Sequence, residues 1–179
     1  MKGERLNAAV DTSVDYDQLY SSHRARVIRL CRLLLSNLHD AEEVSQEVFL
    51  KLLEVYRRGD RSIAWGPWLT RVTINACRDR RRAGWWKWVW DRRGDVDLGE
   101  WASADGTPEE LAVSREQCRQ IWQAFRTLSA RQQEVFALRC VEEWSTEATA
   151  DALGMSSGSV KRHLFRAVRQ LRQALGSGR

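Results

Sequence analysis

The chain is 179 residues long with a net charge of +5, enough for one domain or for two small ones that each bury a core. Its four cysteines, Cys31, Cys77, Cys118 and Cys140, are widely spaced without a Cys-x-x-Cys pair, which argues against a zinc site. No signal peptide and no apolar run of membrane-spanning length is evident, so a reducing cytoplasm is expected. Two prolines, no strand-like alternation and no internal repeat predict an all-α protein.

The charge is unevenly placed. Pro67 to Arg93 holds eight Lys or Arg against two Asp, Gly94 to Glu110 holds six acids and no base, and Ser157 to Arg179 holds six bases and no acid. Two basic regions separated by an acidic one suggest two nucleic-acid contacts.

In chain order, residues 1–13 are polar and unpatterned, and read as a flexible N-terminus. A first helix is expected from about Asp15 to Leu35, with Leu19, Val27, Leu30 and Leu34 inward and Arg24, Arg26, Arg29 and Arg32 outward. Asp40 reads as the N-cap of a second helix, Ala41 to Tyr56. There Ala41, Val44, Val48, Leu52 and Val55 share a face, widened by Phe49 and Leu53, while Glu42, Glu43, Gln46, Glu47 and Lys51 lie opposite. Patterning alone makes that acidic side an ordinary solvated face.

Pro67 suits the first position of a third helix. Trp68, Leu69, Val72, Ala76 and Cys77 should face inward, with Thr70, Arg71, Asn75, Arg78 and Arg82 outward, where Asn and Arg can meet bases and phosphates. Trp65 could stack on an unpaired base or be core, and for an isolated tryptophan core is the more common answer. From Ala83 to Gly106 a linker is expected. It contains Gly84-Trp-Trp-Lys-Trp-Val-Trp90, four of the nine tryptophans, either a partner surface or core of a flanking domain.

The second half opens on the capping-box pattern Thr107-Pro-Glu-Glu110, followed by a helix carrying Leu111, Val113, Cys118, Ile121, Trp122 and Phe125. Ser129-Ala-Arg-Gln132 is another such pattern and starts a helix over Arg131–Glu142, with Val135, Phe136, Leu138 and Cys140 as core. All four cysteines fall in apolar helical patterns and read as buried free thiols. A short helix from Ser145 should end at Gly154, and a second should start after Ser156. On the last helix Val160, Leu164, Ala167, Val168, Leu171 and Leu175 form an apolar stripe, opposite Lys161, Arg162, Arg166, Arg169 and Arg172. The agreement of turn, caps and charge favours a helix-turn-helix entering a major groove over a solvated basic hairpin.

Asp40-Ala-Glu-Glu-Val-Ser-Gln-Glu-Val-Phe-Leu-Lys-Leu52 and Trp68-Leu-Thr-Arg-Val-Thr-Ile-Asn75 resemble sigma domain 2. Leu128-Ser-Ala-Arg-Gln-Gln-Glu-Val-Phe-Ala-Leu-Arg139 and Gly158-Ser-Val-Lys-Arg-His-Leu-Phe-Arg-Ala167 resemble sigma domain 4. In this order, without the intermediate domain, the chain resembles the extracytoplasmic-function (ECF) class of bacterial RNA polymerase sigma factors. The resemblance implies two small helical domains on a flexible linker: domain 2 over 14–83, a linker over 84–106 and domain 4 over 107–179. It implies a cytoplasmic initiation factor that is not an enzyme, has no metal or cofactor, and acts in a stress or envelope-signal response. Its partners would be core RNA polymerase (the clamp helices of the largest subunit, and the flap), promoter DNA and an anti-sigma factor, with no membrane insertion.

Residue by residue, the resemblance puts polymerase docking on Asp40, Glu43, Gln46, Glu47, Phe49 and Leu50, in place of the solvated face. It puts recognition and opening of the minus-ten element on Arg61, Trp65, Trp68, Arg71, Asn75, Arg78 and Arg80. Ser157, Ser159, Lys161, Arg162, Phe165 and Arg166 would read the minus-thirty-five element. Two positions depart from the family pattern. Thr149 replaces a branched aliphatic core residue, so that helix should pack less tightly, and His163 replaces an Arg or Lys. The tryptophan run has no family counterpart, and its composition suits contact with an anti-sigma factor or the polymerase. The competing reading is a helix-turn-helix repressor acting alone, against which stand the absence of an evident dimerisation helix and the second basic helix.

Overall fold

The computed structural model of the chain describes residues 15–35, 37–59, 62–83 and 108–176, with side chains described from Glu116 onward in the last stretch. The expected N-terminal extension, the expected linker with its tryptophan run, and the Thr107 cap lie outside the described residues.

Three helices form the N-terminal unit: α1 (Tyr16–Leu34), α2 (Leu38–Arg57) and α3 (Trp65–Ala83), each packed on the other two. Their apolar stripes meet in a core of Val27, Leu30, Cys31, Val44, Val48, Leu52, Leu69, Ile74 and Cys77, all at most 2 % exposed. Two starts differ from expectation. Asn37, not Asp40, caps α2, its side chain accepting from the His39 amide at 2.8 Å. Asp40 instead lies in the first turn, where a carboxylate also favours the helix dipole. The third helix begins at Trp65, two residues before Pro67. There a proline costs nothing, because the first-turn amides have no intrahelical partner. Thr70, expected outward, is buried with Thr73. Both hydroxyls donate to the carbonyl four residues back, Thr70 to Gly66 at 3.1 Å and Thr73 to Leu69 at 2.7 Å, which satisfies them inside.

The C-terminal unit comprises α4 (Pro108–Arg126), α5 (Ala130–Phe136), a π turn (Ala137–Val141), α6 (Thr146–Leu153) and α7 (Ser157–Gly176), with α4, α5 and α6 each against α7. Ser129 and Gln132 make both halves of the capping box at the start of α5. That helix was expected to continue to Glu142, but it widens into the π turn. Cys140, within that turn, is exposed, and Cys118 on α4 is half-buried, so of the four expected buried thiols only Cys31 and Cys77 are buried. Ile121, read as part of the α4 stripe, is 50 % exposed. The helix-turn-helix itself forms as expected. Ser145 caps α6, Gly154 ends it at φ 62°, and the Ser156 hydroxyl accepts from the Ser159 amide at 3.1 Å. The positive φ is the reason a glycine stands at that position.

Thr149 on α6 is fully buried, and its Oγ1 has no hydrogen-bond partner. A buried hydroxyl without a partner loses its hydration for nothing. Thr149→Val, nearly the same shape, is therefore expected to raise unfolding stability by about 1 kcal/mol. Urea denaturation of both proteins checks this, and a loss of stability in the variant would contradict it.

Candidate nucleic-acid interface

The basic side of α3 is set by helical phase. Arg71, Asn75 and Arg78, at i, i+4 and i+7, share one face, held by the opposite face of Leu69, Thr73 and Cys77 in the core. Asn75 is exposed, and its Oδ1 accepts from Arg78 Nη1 at 3.4 Å. Trp65 and Trp68 lie at the start of the helix as an edge-to-face pair, with centroids 5.7 Å apart, and Trp65 also meets Tyr56 at 6.5 Å. Both are half-buried, so each packs on the core while keeping an edge open to solvent. Arg61 lies outside the described residues.

Arg80 is not on this face. Nine residues after Arg71 it points to the opposite side of the helix, toward α2. There Nη1 meets Asp40 at 3.0 Å and also Glu43, and Nη2 meets Glu47 at 2.8 Å. Hydrogen bonding to Glu43, then to Asp40 and Glu47, holds its proton more tightly than in a free guanidinium, against the opposing effect of burial. Arg80, expected to contact the minus-ten element, thus faces the acids of α2 on the side of α3 away from Arg71, Asn75 and Arg78.

On α2, Gln46, Glu47 and Leu50 face solvent, and Leu50 is 67 % exposed. Phe49 is not part of that surface. It is 8 % exposed and meets Tyr20 edge-on at 4.6 Å, so the docking role expected of it is corrected to a core role. The reason is phase, because Phe49 follows Val48 and Leu52 around the helix toward α1.

On α7, Lys161, Arg162, Phe165 and Arg166 are exposed together, just after the first turn. Phe165 is 66 % exposed and carries the Arg169 guanidinium 6.0 Å from its ring centroid, a cation–π contact. Ser157 and Ser159 are half-buried, and the Ser159 hydroxyl is 3.0 Å from that of Ser156, within the cap. His163 is half-buried beside them.

The two units also meet through charges that sequence reading missed. Glu134 on α5, its side chain 1 % exposed, accepts from Arg78 Nη2 at 3.0 Å, Arg81 Nη2 at 2.6 Å and Arg131 Nη1 at 3.0 Å. Asp151 on α6 pairs with Arg71 at 2.9 Å. Glu142, after the π turn, pairs with Arg26 and, at 3.3 Å, with Arg29. A signal for Glu134 existed: it stands four residues before buried Leu138, in phase with the core.

Two family models match the chain, Sigma-70 region 2 over residues 19–87 and Sigma-70 region 4 over residues 118–171. The ECF RNA polymerase sigma factor SigD of Mycobacterium tuberculosis is 30 % identical over 186 residues, covering 98 % of this chain and 86 % of that protein. The chain belongs to the ECF RNA polymerase sigma factors. SigW of Bacillus subtilis is 28 % identical over 158 residues, covering 86 % of this sigma factor and 84 % of SigW. The fold is likewise that of a solved sigma factor, RpoE of Bartonella quintana in complex with the anti-sigma factor NepR. The TM-score is 0.70 at 20 % identity, over 92 % of this chain and 99 % of that one. CnrH, solved with the cytosolic domain of CnrY, gives 0.64 at 20 % identity. Among the described residues no group of His, Cys, Asp or Glu is gathered to hold a metal ion, and no helix is long and apolar enough to cross a membrane.

Proposed function

We propose that this sigma factor docks on core RNA polymerase through the outward side of α2 around Gln46, Glu47 and Leu50. In this reading the Trp65, Trp68, Arg71, Asn75 and Arg78 side of α3 takes the minus-ten element, with the exposed tryptophan edges free to meet a flipped base. The Lys161, Arg162, Phe165 and Arg166 side of α7 takes the minus-thirty-five element. The chain performs no bond chemistry of its own. Promoter opening draws on binding energy to displaced bases, at the modest cost of unstacking them. It works in the cytoplasm beside the polymerase in response to a stress signal, and an anti-sigma factor is a further partner.

The observation that carries the reading is the exposure of that α7 quartet directly behind a left-handed Gly154 turn. The turn breaks the chain between α6 and α7, and in a helix-turn-helix the first turns of the second helix are the part that reaches into a groove. Phosphate contacts fix register, and a guanidinium aimed at a guanine edge gives specificity. Arg166→Ala is expected to weaken initiation by about 1–3 kcal/mol on promoters with the preferred upstream base, and little once that base is changed. Run-off transcription with holoenzyme on the two templates checks this. An equal loss on both would mark Arg166 as a phosphate contact instead.

A further inference from the structure

We propose that Arg80 is a positioning residue for polymerase docking, acting through Glu47 on α2 without itself touching the polymerase. This rests on the reading of the outward side of α2 as the docking surface. Asp40, Glu43, Glu47 and Leu50 stand at i, i+3, i+7 and i+10, on one stripe of that helix. Arg80 comes to the stripe from the last turn of α3. Its Nη1 donates to Asp40 Oδ1 at 3.0 Å and also to Glu43 Oε2, and its Nη2 donates to Glu47 Oε1 at 2.8 Å. One planar fork thus holds three acids spread over two turns of α2, a reach that a single ammonium does not have.

Without the guanidinium these acids would repel one another. Asp40 and Glu43 are three residues apart and Glu43 and Glu47 four, the spacings at which like charges on a helix destabilise each other. The carboxylates would swing apart into many rotamers, and a partner would have to fix Glu47 at the moment of binding, at a loss of side-chain entropy. Arg80 fixes it beforehand.

The geometry also separates holding from blocking. The Arg80 side chain is 25 % exposed and that of Glu47 is 55 % exposed, so the guanidinium lies beneath and the carboxylate still faces outward. Arg80 takes Oε1 of Glu47, and a carboxylate accepts at its second oxygen as well. Three carboxylates around one guanidinium leave the group negative. Leu50 follows on the same stripe, exposed. A fixed carboxylate beside an exposed leucine fits a polymerase surface that sets a lysine or arginine next to an apolar patch.

The test is binding of the full chain to immobilised core polymerase, read as association and dissociation rates by surface plasmon resonance. Arg80→Ala is expected to dissociate about three- to tenfold faster, while its association is unchanged or faster because the stripe has become more negative. Arg80→Lys keeps the charge but loses the fork, and should dissociate nearly as fast as Arg80→Ala. In a Glu47→Ala background, Arg80→Ala should change dissociation by less than about twofold, because the group it acts through is gone. A merely structural Arg80 would give the same loss in both backgrounds, and thermal melts report the fold of each variant. If Arg80→Ala does not fold, Arg80→Lys carries the test. Unchanged or slower dissociation of Arg80→Ala overturns the inference, as does wild-type dissociation of Arg80→Lys. Leu50→Asp, measured alongside, separates the two failures. If it weakens core binding and Arg80→Ala does not, only the role of Arg80 falls. If neither weakens it, the docking reading falls as well.

Discussion

Replacing Leu50 with aspartate is expected to leave the N-terminal unit folded and to cost about 2–4 kcal/mol of binding to core polymerase, a loss on the order of 30- to 1000-fold. Leu50 is 67 % exposed on a helix whose other apolar residues mostly turn inward, so the free protein gains little from it. A large side chain held in water without a visible structural use is the kind of residue an interface buries. An aspartate there would have to enter that interface without a partner, which adds its desolvation to the lost apolar contact. Anisotropy titration with purified core, alongside a thermal melt of the free protein, reads both quantities. An unchanged core affinity would mean that the outward side of α2 is not the docking surface.

One residue earlier, the expectation reverses. Phe49→Ala should destabilise the N-terminal unit by about 3–5 kcal/mol, because it empties a buried aromatic site packed on Tyr20. Tyr20 belongs to a row of rings that continues through Tyr16, Tyr56, Trp65 and Trp68. Loss of Phe49 should therefore also loosen the tryptophan edges at the start of α3. Urea denaturation monitored by tryptophan fluorescence reads the effect. A variant of unchanged stability with weakened core binding would return Phe49 to the docking surface. The adjacent pair thus separates folding from recognition by the choice of helical face alone.

Elements written in repeated apolar spacing and local caps were legible in the sequence. Ser129 with Gln132, Ser145, Gly154 and Ser156 stand where they were expected, because each cap is a contact between residues three to five apart. The family motifs likewise located α2, α3 and α7. Faces were less legible where a side chain could go either way. Thr70 was read outward from its polarity, but a threonine that bonds its own helix carries no penalty inside. Arg80 was grouped with its basic neighbours, although a turn-by-turn count puts it opposite Arg71 and over the acids of α2. The contacts of Glu134, Glu142 and Asp151 with α1 and α3 span from 53 to 116 residues of sequence, and no local pattern encodes such pairings. The one hint was a glutamate in phase with a buried leucine, which requires a charged partner from elsewhere.

The most direct test of the account is run-off transcription from a genomic fragment library with purified core polymerase, with and without this protein. The account predicts discrete new start sites, each preceded by two shared upstream elements and each dependent on both core and the added chain. No core-dependent transcripts, together with tight core-independent binding to a symmetric duplex site, would contradict it.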